Sequence, residues 1–174
     1  YNRDNSMVYM SLSKAYNENA DFEEAIEILE ELFKLDKNNF RVALLISINS
    51  IEIDDFESAY EWGQKSMKIS RNNAESLAHM GNLYYKSMQT CRGDNFSRSD
   101  KIVASLAHEY FVKAENKGNS KYFKQKKWLE ENEVLFSYAD WFMTDKDIQA
   151  SGKVFPSGKC YDWVSESLAK QSDW

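Results

Sequence analysis

Asp21-Phe22-Glu23-Glu24-Ala25 and Asp55-Phe56-Glu57-Ser58-Ala59 are two versions of one phrase, set 34 residues apart. Downstream, Lys34-Leu35-Asp36-Lys37-Asn38-Asn39 and Lys68-Ile69-Ser70-Arg71-Asn72-Asn73 match at the same offset. Upstream, Tyr9, Leu12 and Tyr16 share one helical face by their spacing. Leu77, Met80 and Tyr84 repeat that spacing 68 residues later, twice the period, and Ala43, Ile46 and Ser50 fill the middle copy. A fixed period of this length marks stacked supersecondary units, none of which buries its apolar face alone.

Composition points the same way. The chain has one proline, Pro156, six glycines, and eighteen Val, Ile and Thr residues in 174. So few breakers and β-branched residues make a mostly helical chain the expectation. Hydrophobic residues at 43% and charged residues at 29% suit a globular protein rather than a disordered one. A formal net charge of −6 fits poorly with a dedicated binder of nucleic acid or anionic membrane. No apolar run reaches the ~18 residues of a membrane span. Val42–Ile53 comes closest and is interrupted by Ser47, Asn49, Ser50 and Glu52. The chain starts on Tyr1 rather than Met, as expected of an excised or processed piece. The lack of a signal-peptide pattern therefore says nothing about compartment.

The matched residues resemble the tetratricopeptide repeat family. Its first helix carries a large residue, then Leu-Gly, then Tyr, and its second helix carries Ala, then Phe. Tyr9, Leu12, Tyr16 and Ala25 fit, with Ser13 for the glycine and Leu29 for the phenylalanine. The second copy is degenerate: Ala43, Ile46, Ser47, Ser50 and Ala59 keep the sizes roughly, and Gly63 stands at the Phe position. Lys37 and Arg71 replace the closing proline. The third copy opens with Leu77, Met80, Gly81 and Tyr84 and resumes at Ala107, Phe111 and Ala114 after an insertion of 14 residues near Met88–Lys101. The resemblance covers about residues 6–121.

The resemblance implies a single all-α domain over residues 1–174: a right-handed superhelical array of antiparallel helix hairpins. Its repeats span about 6–39, 40–73 and 74–121, and an aromatic-rich helical cap closes it over 122–174. Helices are expected near 6–19, 22–35, 40–53, 56–70, 74–88, 99–117 and 119–133. Leu135–Met143 reads as helical, Ser151–Lys159 as a loop carrying Gly152, Pro156 and Gly158, and Tyr161–Gln171 as a last helix. Cys91 and Cys160 belong to no CxxC or Cys/His cluster. Two unpaired thiols are the leading expectation, ahead of one long-range disulfide in an oxidising compartment and of a metal site.

The search for catalytic chemistry returns little. The triplets Ser151–Lys153 and Ser157–Lys159 lack the glycine spacing and the preceding strand of a phosphate-binding loop. His79 and His108 have no histidine partner at helical metal-ligand spacing, and no nucleophile elbow is visible. Glu23, Glu24, Glu27, Glu30 and Glu31 read as a solvated helix face. Lys121, Lys124, Lys126 and Lys127 interleave with Tyr122, Phe123 and Trp128, but Glu130, Glu131 and Glu133 follow directly. The stretch therefore reads as an amphipathic capping helix rather than a nucleic-acid surface. The polar insertion Gln89–Asp100 reads as a surface loop, a secondary candidate for contacts. Its Arg92–Asp94 matches an integrin-type tripeptide, a weak signal at three residues.

In the family the first helix of each hairpin lines a concave groove. That implies a partner-binding surface of Met10, Lys14 and Asn17 in repeat one, Arg41, Leu44, Ile48 and Ile51 in repeat two, and Asn82, Tyr85 and Lys86 in repeat three, with Glu75 and Ala78 beside them. Leu44, Ile48 and Ile51 at i, i+4 and i+7 suit the apolar face of a helix or extended segment. The chain's own terminus is the competing occupant. The family's clamp for acidic chaperone tails is absent, because Met10, Lys14, Ile48, Glu75 and His79 stand at its positions. The expectation is thus a non-enzymatic scaffold for a protein or peptide partner, with no cofactor, no metal, no nucleic acid and no membrane insertion. The alternative is an accessory domain of a larger enzyme or cell-envelope assembly.

Overall fold

The computed structural model describes residues 3–172. Six long helices dominate it: α1 (Arg3–Asn19), α2 (Phe22–Leu35), α3 (Phe40–Glu52), α4 (Phe56–Ser70), α5 (Ala74–Cys91) and α6 (Arg98–Glu115). Shorter helices α7 (Phe123–Glu131), α8 (Tyr138–Phe142) and α9 (Lys146–Ser151) follow. They lead into a two-residue pair, β1 (Lys153–Val154) against β2 (Leu168–Ala169), antiparallel with Val154 opposite Leu168. Each long helix packs on the next in sequence, most extensively α5 on α6.

The 34-residue period is visible in the backbone. Ala20 and Asp54 both take left-handed φ, at 63° and 57°, just ahead of α2 and α4. Asn39 and Asn73 cap α3 and α5 by accepting from the amides of Val42 and Ser76. Asp55 caps α4 on the Ser58 amide, whereas its counterpart Asp21 makes no side-chain cap.

Small residues set the helix spacing. Ala25 and Ala59 are fully buried. A Cβ on Gly81 would lie 2.5 Å from Cδ1 of Phe111 and 3.1 Å from the Ala107 carbonyl oxygen, so α5 and α6 meet where only glycine fits. One core cluster joins Leu29 and Leu32 of α2 to Val42 and Ile46 of α3. A larger one runs from Ile51 and Phe56 through Met80, Tyr84 and Phe111 to Trp141, Val154 and Leu168.

Three expectations need correction. Cys91 and Cys160 are not free thiols: they form a disulfide with Cα atoms 6.0 Å apart. The pairing depends on α5 running to Cys91, one turn past its expected end, which carries the thiol to the C-terminal segment. The same extension, with α6 starting at Arg98, shrinks the expected polar loop 89–100 to residues 92–97. Finally, no helix forms over Tyr161–Gln171. A 3-10 turn at Lys159–Tyr161, irregular chain and β2 stand there instead. Val164-Ser165-Glu166-Ser167 has weak helix propensity. Its side chains find tertiary partners: Glu166 accepts from Tyr110 at 2.9 Å and from Gln64 at 2.8 Å. The Trp163 ring stacks on Tyr84 at 5.7 Å. Tyr161 donates to the buried Asp100, whose other carboxylate oxygen caps α6.

Candidate functional site

A cleft of about 570 Å³ lies between α3, the first turns of α5 and the turn that follows α6. Leu44 and Ile48 form its α3 wall, as their i, i+4 spacing on one helix requires. Asn73, Ala74, Glu75, Ala78 and His79 form the α5 wall. Gly118–Tyr122 close the third side.

That third side is built locally. Gly118 takes φ of 85°, which lets the Asn119 amide reach back to the Ala114 carbonyl at 3.0 Å and ends α6 in a left-handed cap. Lys117 then donates to the Asn72 carbonyl at 2.7 Å, tying this turn to the α4–α5 connection. Tyr122 lies against Phe111 with ring centroids 5.6 Å apart. The exposed Lys121 is left on the rim of the cleft.

His79 is the most constrained group on the lining. It is fully buried, and its Nε2 lies 2.6 Å from Ser47 Oγ. The Ser47 hydroxyl has one proton and gives it to the Ala59 carbonyl. The ring therefore donates from Nε2, and Nδ1 is a bare acceptor. Nδ1 has no hydrogen-bond partner among the described residues. Burial first, and the Lys121 charge second, push the imidazole pKa down to about 3, so it is neutral at physiological pH. Among the described residues the neutral ring makes one side-chain hydrogen bond, to Ser47. Among the described residues no group of three His, Cys, Asp or Glu side chains could hold a metal ion.

The expected groove residues do not form one continuous surface. Leu44 and Ile48 meet on the cleft, with Glu75 and Ala78 opposite. Met10, Lys14 and Asn17 line a separate hollow of about 390 Å³ with Leu45. Ile51 is buried in the larger core. Tyr85 meets the edge of Trp128 from α7 with centroids 5.9 Å apart, and Asn82, three residues before it, is half-buried. Arg41 and Lys86 are exposed, Arg41 over the ring of Phe40.

The C-terminal segment does not fill the cleft: none of residues 135–172 lines it. That segment lies on the α4–α6 face instead, with Trp163 near Phe56, Tyr60 and Tyr84. Sequence reasoning put His79 on the groove side of α5 but not its burial against Ser47, and it started the next helix at 119 where a turn runs to 122. Gly118-Asn119-Ser120 is a turn signal that was legible, but which helix the turn faces is not.

No protein-family model matches the chain, and no curated protein matches it significantly.

Proposed function

We propose that this chain is a non-enzymatic interaction module of the tetratricopeptide type, coiled as a right-handed superhelix of antiparallel hairpins. It takes a segment of a partner protein into the cleft between α3, α5 and the 118–122 turn. The observation that carries this reading is the cleft of about 570 Å³ whose α3 wall is the half-buried Ile48 with the buried Leu44 behind it, beside the first turn of α5. An apolar ligand side chain would pack against that wall, Ala78 and Tyr122. Polar groups of the ligand would meet Lys121, Asn119 and the first-turn amides of α5, where the helix dipole favours acceptors. Glu75 on the same rim disfavours a run of carboxylates, so the matching segment is apolar with few acidic residues.

Panning a displayed peptide library on the protein tests this. Selected peptides are expected to carry apolar residues and to lose at least about tenfold in affinity on Ile48→Glu, since that change places a charge where an apolar group docks. Glu27→Gln on α2 is the control and should leave binding intact. Selected peptides indifferent to Ile48→Glu would refute the cleft.

The disulfide favours a second reading of the setting. Paired cysteines persist in oxidising compartments, and Cys91–Cys160 fastens the C-terminal segment to α5. An accessory domain of a cell-envelope or extracellular assembly would use the same cleft.

A further inference from the structure

The loop between α5 and α6 carries a tripeptide that the cleft does not use. Of the chain's fourteen asparagines only Asn95 is followed two positions on by Ser or Thr, in Asn95-Phe96-Ser97. Asparagine, any residue but proline, then Ser or Thr is the acceptor pattern for an N-linked glycan. Three residues recur by chance, so placement decides whether the pattern is usable. The asparagine must reach solvent, and the chain must pass through a compartment where such glycans are added.

The placement suits an acceptor. Residues 92–97 lie outside both helices, and Gly93, Asp94 and Asn95 are exposed. The Asn95 side chain makes no hydrogen bond among the described residues. A Cβ on the nearby Gly93 would meet nothing within 4 Å, so the loop stands clear of the rest of the fold. Phe96 is half-buried, with its ring centroid 6.4 Å from that of Trp128 and the Arg92 guanidinium 5.0 Å above it. Ser97 caps α6. The loop is thus held on one side of Asn95 while its amide stands in water. Cys91, four residues before Asn95, is bonded to Cys160. Disulfides persist in oxidising compartments, and the secretory lumen that oxidises thiols is also where N-linked glycans are added.

We propose that Asn95 is the attachment site of an N-linked glycan. In the transfer, Asn95 Nδ2 bonds to the anomeric carbon of an oligosaccharide carried on a polyprenyl pyrophosphate. The bond from that carbon to the phosphate oxygen breaks, and the pyrophosphate leaves with the electron pair. One Nδ2 proton goes to a base of the transferring enzyme, and nothing is oxidised or reduced. In the folded chain the Ser97 hydroxyl is engaged, donating to Asp100 at 2.6 Å and accepting from the Asp100 amide at 3.1 Å. Transfer therefore precedes closure of this cap. The 18 residues of α5 place about 27 Å between the loop and the cleft at the helix start, so the glycan leaves the cleft free. The proposal rests on the oxidising setting read from the disulfide and not on the cleft.

The test is mass spectrometry of the chain isolated from the cells that make it, alkylated before any reduction and then digested. The peptide holding Asn95 is expected to carry hexosamine-containing carbohydrate. An amidase that releases N-linked glycans should strip it and convert the asparagine to aspartate. Asn95→Gln should abolish the added mass, and Ser97→Thr, which keeps the hydroxyl, should retain it. Asn95 and Ser97 are both exposed, so neither change threatens the fold. A bare Asn95 beside an intact Cys91–Cys160 disulfide overturns the proposal and leaves the oxidising setting standing. A bare Asn95 with both cysteines alkylated overturns the two together. Carbohydrate that persists in Asn95→Gln also overturns it, because the glycan is then attached elsewhere.

Discussion

Acidification from pH 7 to pH 5 should weaken this fold through a single side chain. His79 titrates near 6.5 when the chain is unfolded and is held at about 3 in the fold by burial and by the Lys121 charge. The unfolded chain therefore takes up a proton at a pH where the native chain refuses it. The sign follows: the contribution is fully present above pH 6.5, is lost progressively as pH falls, and levels off near pH 3. Between pH 7 and pH 5 the proton uptake of one group of pKa 6.5 is worth about 2 kcal/mol. His79→Gln keeps a donor for Ser47 and removes the titration. Urea unfolding at both pH values should show a drop about 2 kcal/mol larger for the wild type than for His79→Gln. The carboxylates and the His108–Glu130 pair are common to both proteins and cancel in the difference. Equal drops would mean that His79 is solvated or charged in the native state, and the assigned Nε2–H donor to Ser47 would fall with it.

Two further tests concern packing. Gly63→Ala should be nearly neutral, because the flexible Met80 thioether can swing aside while the helix gains up to about 1 kcal/mol of propensity. Gly81→Ala should cost about 1–3 kcal/mol, because it meets the buried Phe111 ring and the Ala107 backbone. Thermal melts with the two changes ranked the other way would contradict the α5–α6 register. Replacing Cys91 and Cys160 together by Ser should cost about 2–4 kcal/mol. Hydrogen exchange should show the loss of protection concentrated in residues 153–172, and uniform loss would mean the bridge supports the whole stack.

How far the site could be read from sequence differs residue by residue. Leu44 and Ile48 lie side by side on the cleft because a helical stripe is a local property: the 100° turn per residue places i and i+4 together whatever surrounds them. Ile51 obeys the same periodicity and is nonetheless core, because the larger cluster reaches that end of α3. Tyr85 reads as groove until α7 lays Trp128 against it. Cys91 and Cys160 lie 69 residues apart, and no local rule reports a distance of that kind. The apolar spacing of Trp163, Val164 and Leu168 imitates a helix. Those residues in fact serve different neighbours from a turn, irregular chain and β2, and Glu166 between them is bonded to Tyr110 and Gln64.

The sequence by itself determined the helical class, the 34-residue period and the positions of the long helices. Those properties rest on short-range physics: propensity, capping by Asn39, Asp55 and Asn73, and small residues at Ala25 and Ala59. Only the tertiary structure decided how much of the Leu44, Ile48 and Ile51 stripe stays uncovered, that His79 is buried beside Ser47, and that the C-terminal segment crosses the α4–α6 face rather than the cleft. Each of these depends on contacts between residues tens of positions apart. Such contacts are chosen by the packing of the whole chain, and no window of sequence contains both partners.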